Sequence, residues 1–394
     1  ILYLKKKMKT IFLILWGDPK FYQTLIFLAQ FLSKKGFRVF ILSKNTKKEK
    51  EIIKNVNFGK NSKVINCPKF ISGFSNQVDY FFFIFFVLIN YLFKKPSKII
   101  FFNKKALFTV ILLNIFKLKK TKFIYHNFDF ELITKANKFK ENLLIKFEFF
   151  CSKKCDYLIF PSQNRSRLFK SKSKNKNSKI YSFMNCFPLK NKIKISSNKF
   201  KKFLNTNSLK KKKIICHLGS IGPDHYLEEI IKSFKYFNDN IILIIGGSPI
   251  GNYPSILRKI ISINKLKHKV YIFENISNEF WFDILKNSIL GLCFYKPSVL
   301  SHKNMAGTSQ KFNNYLFFQI PMLVNKNNDF TNFKKKFDIF NMVNPKKPKN
   351  ISNSIINLIH NSNRYYNIKK NMKLSFQKEL NFETQFSNSY DKIL

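Results

Sequence analysis

The stretch Ala306–Asn325, AGTSQKFNNYLFFQIPMLVN, gathers the residues with the most evident chemistry. A short polar segment gives way to a helix near Ser309, and Pro321 precedes a β-like Met-Leu-Val run. Ser309 and Lys311 then sit at a helix N-terminus, where the dipole's positive end, a hydroxyl and an ammonium can all address a diphosphate. Asn314 and Tyr315 fall on the following turn. Standing alone, the stretch reads more plainly as a Ser N-cap beside a solvated lysine. Gly17, Gly219 with Ser220, and Gly246 with Gly247 each close an apolar run. Such turns let backbone N–H groups approach an anion, although any strand-to-helix connection favours glycine. A full GxGxxG fingerprint is missing: Gly246 and Gly247 lead into Ser248, Pro249, Ile250 and Gly251, with no acidic residue placed for a ribose, which argues against a dinucleotide. No Asp-x-Asp sequence occurs, so no catalytic metal is expected. The six cysteines, Cys67, Cys151, Cys155, Cys186, Cys216 and Cys293, form no C-x-x-C pair. Cys151 and Cys155 read as buried apolar residues rather than ligands.

The elements that must position these residues follow from periodicity. Thr10–Trp16 is an unbroken apolar run suited to a strand buried on both faces, Phe21–Lys34 has helical spacing, Gly36 ends it, and Phe37–Leu42 is a second strand. That is a βαβ unit. Further strands are expected at Val64–Asn66, Lys98–Phe102, Lys122–Tyr125 and Tyr157–Phe160. Lys190–Lys213 is polar and lysine-rich with little periodicity, as an interdomain linker would be. A second series follows: strands at Ile214–Leu218, Ile241–Ile245, Val270–Phe273 and Ile289–Tyr295, with helices at Tyr226–Phe237 and Asn278–Asn287. The expected class is α/β, with Rossmann-like domains at residues 8–189 and 214–375 joined by a linker at 190–213 and a C-terminal helix at 376–394. Ligands would bind in the crevice at the carboxyl ends of the two sheets.

With 394 residues the chain is far larger than a single binding motif. Lys and Arg total 72 against 21 Asp and Glu, a formal charge of +51, and 48 residues are Phe. Only Arg38, Arg165, Arg167, Arg258 and Arg364 are arginines. Readers of bases and phosphates favour the bidentate guanidinium, so specific nucleic-acid binding is not expected. A cytoplasmic protein is expected, because Lys5–Lys9 leads into an apolar stretch with no small-residue cleavage site; Met8 is a candidate start. Tyr80–Phe93, YFFFIFFVLINYLF, is the most hydrophobic segment and is short for a bilayer span. It reads as a buried helix or as a helix lying in an anionic membrane surface that also attracts the lysines.

Ser309, Lys311, Tyr315 and Pro321 resemble the donor-binding segment of GT-B glycosyltransferases, especially the family 4 type, whose pattern is roughly S-x-K-x-x-E-Y-x-x-x-G-x-P-V. His217–Phe234, HLGSIGPDHYLEEIIKSF, resembles the first strand, glycine turn and helix of that family's nucleotide domain, and Val270–Tyr295 the strand, helix and strand before the donor segment. In the N-terminal half, WGDPKFYQTLIFLAQFLSKKGFRVFIL resembles the opening strand, loop and helix, and FIYHNFDFEL the mid-domain His-containing loop. CDYLIFPSQNRSRLF with FMNCFP resembles the end of the acceptor domain, and NFETQFSNSYDKIL the final helix crossing back. The likeness covers nearly the whole chain in order. This chain has Asn314 where the family has a ribose-binding Glu, and Gln319 and Ile320 in place of the Gly before Pro. It also lacks a clear counterpart of the Arg and Lys after the first glycine turn.

The resemblance implies transfer of a sugar from a nucleotide-diphosphate donor to a glycan or lipid-linked acceptor in surface-polysaccharide synthesis, without a metal or other cofactor; it leans towards retention of configuration, while the residues themselves leave inversion open. Gly17, Gly219, Ser220, Ser309, Lys311, Asn314 and Tyr315 would bind the donor, with Lys296 or Lys303 helping. His126 would contact the sugar or acceptor, and Asp18 and Asp129 the acceptor hydroxyl. Peripheral contact with the anionic inner membrane would suit such an acceptor. A non-catalytic partner of another transferase and a polyanion-binding protein are the alternatives.

Overall fold

The computed structural model describes residues 8–44, 56–68, 76–118, 120–128, 139–190, 198–298 and 300–394. It divides into two units, Ile1–Met184 with Phe386–Leu394, and Asn185–Gln385.

The first unit is built on β1 (Thr10–Leu15), α1 (Gln23–Lys34), β2 (Arg38–Lys44), β3 (Ser62–Cys67), α2 (Asn76–Lys94), β4 (Lys98–Phe102), α3 (Lys104–Phe108), α4 (Val110–Ile115), β5 (Lys122–His126), α5 (Phe139–Ser152), β6 (Tyr157–Phe160), α6 (Gln163–Ser173) and β7 (Lys179–Ser182). Its seven strands run in the order β3-β2-β1-β4-β5-β6-β7, every pairing parallel. Ile11–Leu15 and Ile99–Phe102 are wholly buried, as central strands covered on both faces must be. With right-handed crossovers, the steps from β1 to β3 and from β3 to β7 run opposite ways along the sheet. Hence α1 covers one face and α2 to α6 the other.

The second unit comprises α7 (Asn198–Thr206), β8 (Lys213–Leu218), α8 (Leu227–Ser233), β9 (Ile241–Gly247), α9 (Tyr253–Ile263), β10 (Val270–Glu274), α10 (Asn278–Asn287), β11 (Ser288–Cys293), α11 (Leu300–Lys303), α12 (Gln310–Phe317), β12 (Met322–Asn325), α13 (Asn328–Lys336), β13 (Asn341–Val343), α14 (Pro348–His360) and α15 (Ser362–Lys378), and α16 (Phe382–Ser389) begins in it and ends in the first. Its six parallel strands run β10-β9-β8-β11-β12-β13.

Three departures from the sequence reading have local causes. Part of the stretch read as linker is the helix α7, because Phe200 and Phe203 fall on one face and pack on Phe280 at 5.4 Å and Phe273 at 4.9 Å; residues 191–197 of that stretch lie outside those described. Residues 376–394 are not one helix: α15 ends at Lys378, and Asn381 caps α16 by accepting from the Thr384 N–H at 2.8 Å. The hydrophobic helix α2 has 19 residues, longer than the apolar core that announced it.

Candidate functional site

In the second unit the strand order reverses between β8 and β11, and the carboxyl ends of those two strands part there. His217, the penultimate residue of β8, is fully buried. Its Nε2 lies 3.3 Å from Nζ of Lys311, which reaches in from the first turn of α12. The ammonium also lies 4.7 Å from the centre of the Tyr295 ring, a cation–π contact. Lys311 is only 5% exposed, and among the described residues no carboxylate pairs with it. Burial lowers its pKa to about 8. A Cβ on Gly219 would stand 3.2 Å from the Lys311 side chain, so glycine leaves the room the lysine uses. The Gly219 N–H donates to the Gly246 carbonyl at 2.9 Å. Gly219 therefore supplies space rather than the anion-binding donor expected from the sequence.

The α12 helix is held in place from several sides. Ser309 caps it, its hydroxyl accepting from the Phe312 N–H at 3.2 Å and bonding the Tyr295 hydroxyl. Asp329, in the first turn of α13, accepts from the Ala306 N–H at 2.8 Å and fixes the preceding loop. The Tyr315 hydroxyl accepts from the Leu218 N–H at 3.2 Å and donates to the Cys216 carbonyl at 3.1 Å. Its ring lies so close over Gly291 that a Cβ there would come within 2.6 Å of it. Tyr315, fully buried, thus bolts α12 to β8 and β11. Asn314 is fully buried too, and among the described residues neither end of its carboxamide has a hydrogen-bond partner. Ser220 bonds His225 Nε2 at 2.8 Å, while the Phe294 carbonyl lies 3.2 Å from Nδ1.

Sequence reasoning passed over His217, His225 and His302. Their rings form a chain beside Lys311, with centroids 5.4 Å and 6.1 Å apart. The signal was a polar residue inside the apolar run Ile214–Leu218 and a second five residues beyond the glycine turn. Burial and the nearby Lys311 charge push His225 down to about 2, so its ring stays neutral. Among the described residues no group of three or more His, Cys, Asp or Glu is placed to hold a metal ion. Lys296 lies over the Tyr226 ring at 5.4 Å, and Lys303 is exposed at the end of α11.

In the first unit Gly17 and Asp18 follow β1, at the switch point between β1 and β4. Asp18 accepts from the Lys20 N–H at 3.0 Å and pairs with the Lys20 ammonium at 2.7 Å. That carboxylate caps a helical turn, an arrangement that occupies it locally. His126 ends β5, wholly buried within 6.0 Å of the Phe102, Phe128, Phe183 and Tyr390 rings. Its Nδ1 bonds the Tyr390 hydroxyl at 2.7 Å, and among the described residues its Nε2 has no partner. Burial alone lowers it to about 3. Asp129 lies outside the described residues.

The two sheets and their switch points match solved structures along almost the whole chain. HepE of Anabaena in complex with UDP-glucose superposes with a TM-score of 0.74 at 13% identity, over 98% of this chain and 99% of that one. The fold is GT-B. A sucrose-phosphate synthase of Thermosynechococcus elongatus shares it (TM-score 0.73, 12% identity, 98% and 99% of the chains), as does WaaG, a glycosyltransferase of lipopolysaccharide biosynthesis (0.65, 9%, 96% and 99%). No protein-family model and no curated protein sequence matches the chain. In this GT-B chain Lys311, Gly219, Ser309 and Tyr295 come together at the β8–β11 switch point, whereas Gly17, Asp18 and His126 belong to the other unit.

Proposed function

We propose that the chain is a glycosyltransferase that takes a nucleotide-diphosphate sugar at the β8–β11 switch point. The observation that carries this reading is Lys311: a buried ammonium with no carboxylate partner among the described residues, at the first turn of a capped helix. A lone buried cation is unfavourable by several kcal/mol unless an anion joins it. A leaving nucleoside diphosphate is such an anion, and its charge grows in the transition state, where a pre-placed ammonium and helix N-terminus stabilise it. Ser309 and Tyr315 hold α12 so that Lys311 is in position, and Asn314 offers an unused amide to a ribose hydroxyl. His126 offers a neutral Nε2 to a hydroxyl of sugar or acceptor. Transfer without a metal and with retention, to a glycan or lipid-linked acceptor, completes the reading. HepE holds UDP-glucose in its structure, which makes UDP-sugars the first donors to try.

The test is thermal stability with UDP, GDP and CMP in turn. A nucleotide at about a hundred times its dissociation constant adds about 2.7 kcal/mol. A shift with one nucleotide, lost in Lys311→Ala, supports the reading; equal shifts in both proteins overturn the site. The orphaned Asn314 amide favours a second reading, a GT-B protein whose donor site has decayed. If no nucleotide shifts the wild type and Asn314→Glu brings no gain in nucleotide affinity, that second reading holds.

A further inference from the structure

We infer that the face of the first unit formed by α2, α4 and α5 seats in the interfacial layer of an anionic lipid bilayer. On α2, Phe81, Phe85, Ile89 and Phe93 recur every four residues and all are exposed, Phe93 by 82%. On α5, Phe139, Leu143, Phe147 and Phe150 recur every three or four residues and are exposed, Phe139 by 85%, and on α4 Ile115 is 70% exposed. These stripes lie on the side where water-facing helices carry polar residues. Both helices cover the same face of the sheet, and α3 joins them: Tyr80 of α2 donates to the Lys105 carbonyl at 2.7 Å, and Phe108 packs on Phe147 at 4.7 Å. The result is one apolar surface assembled from segments far apart in sequence, of the kind that marks an interaction site.

Two observations choose the occupant. By length and composition Gln77–Lys94 could cross a membrane, yet Phe83, Val87 and Tyr91 of α2 are fully buried, which commits the helix to its own unit and leaves only its outer stripe for lipid. The surrounding charge is positive. Lys95, Lys105, Lys120, Lys140, Lys146 and Lys153 are exposed on or beside these helices, whereas the acidic residues within α2, α4 and α5 are Asp79, 3.5 Å from Lys44, the exposed Glu141 and the buried Glu148. A second copy of a chain with +51 formal charge would bring the same lysines face to face. An anionic bilayer pairs with the lysines and takes the aromatic stripe about 5–10 Å deep.

The full chain should float with vesicles of phosphatidylcholine mixed with phosphatidylglycerol, and at least about tenfold more weakly with phosphatidylcholine alone. Replacing Phe85→Ser, Phe93→Ser and Leu143→Ser together should weaken binding to the mixed vesicles by about tenfold or more, since each Phe or Leu buries apolar area. An unchanged unfolding midpoint shows that the variant is folded. In a Phe85→Trp variant, emission should shift to the blue and be quenched by lipids brominated along the acyl chain. The inference is overturned if the folded wild type does not bind the mixed vesicles, or if the triple variant binds them as tightly as wild type. It is overturned too if the stripe instead drives concentration-dependent self-association. These substitutions are in the first unit and the readout needs no nucleotide, so failure here leaves the donor site standing, and the reverse.

Discussion

Lys311 is positioned at an energetic disadvantage in the free protein. Its pKa of about 8 lies below the 10.5 of an unhindered lysine, so between those values the unfolded chain holds a proton that the folded chain has released. Stability should therefore rise as pH goes from 8 to 10.5, and urea unfolding at pH 7.5 and 9.5 measures it. Lys311→Met should remove this slope and stabilise the ligand-free protein by about 2 kcal/mol at pH 7 while abolishing nucleotide binding. An anion beside the ammonium favours its charged form, so nucleotide affinity should be full below pH 8 and fall above it. His126 has the same consequence in a more acidic window. With a folded pKa of about 3 against 6.5 in the unfolded chain, the unfolded state takes up the proton first as acid is added. Stability should decline from pH 6.5 downward, and His126→Gln should recover about 2 kcal/mol of the loss at pH 4.5.

Among the elements, the strand ends are where one atom decides. A Cβ on Gly247 would lie 1.6 Å from the Gly219 carbonyl oxygen, with φ at +147°. That pair of glycines lets β9 close on the turn beside Lys311, which explains Gly246 and Gly247 without a phosphate. Gly247→Ala should cost more than about 3 kcal/mol, whereas Gly251→Ala, at φ +53° with nothing within 4 Å, should cost about 1 kcal/mol. Urea midpoints of the two variants test the contrast. The apolar runs of β1, β4, β8, β9 and β12 were legible in sequence because both faces of a parallel sheet are buried, so few polar residues interrupt them, His217 in β8 being the exception. Two of the four edge strands, β7 and β13, were not. Lys179–Ser182 and Asn341–Val343 are short and half-covered, and their composition does not differ from a loop's. At the site, Ser309 and Lys311 were legible through cap chemistry and resemblance. The packing of His217 against Lys311 was not, because it joins residues 94 apart, and the outward stripe of α5 was hidden among apolar residues that a sequence reader assigns to the core.

Across the whole molecule, residues Phe386–Leu394 belong to the first unit although the entire second unit intervenes. Phe386 packs on Phe31 at 4.6 Å, Asp391 pairs with Lys35, and the Tyr390 hydroxyl bonds His126. Tyr390→Phe should cost about 1 kcal/mol through the lost hydrogen bond, and Tyr390→Ala about 3–5 kcal/mol through the cavity, both read by thermal unfolding. The order of synthesis now matters. A ribosome delivers β1 to β7 first, but the aromatic wall around His126 is incomplete until Tyr390 emerges, more than two hundred residues after His126. The second unit, by contrast, is one continuous segment. It can finish folding while the first still waits with an open core, so the half of the chain made later is the half that matures earlier.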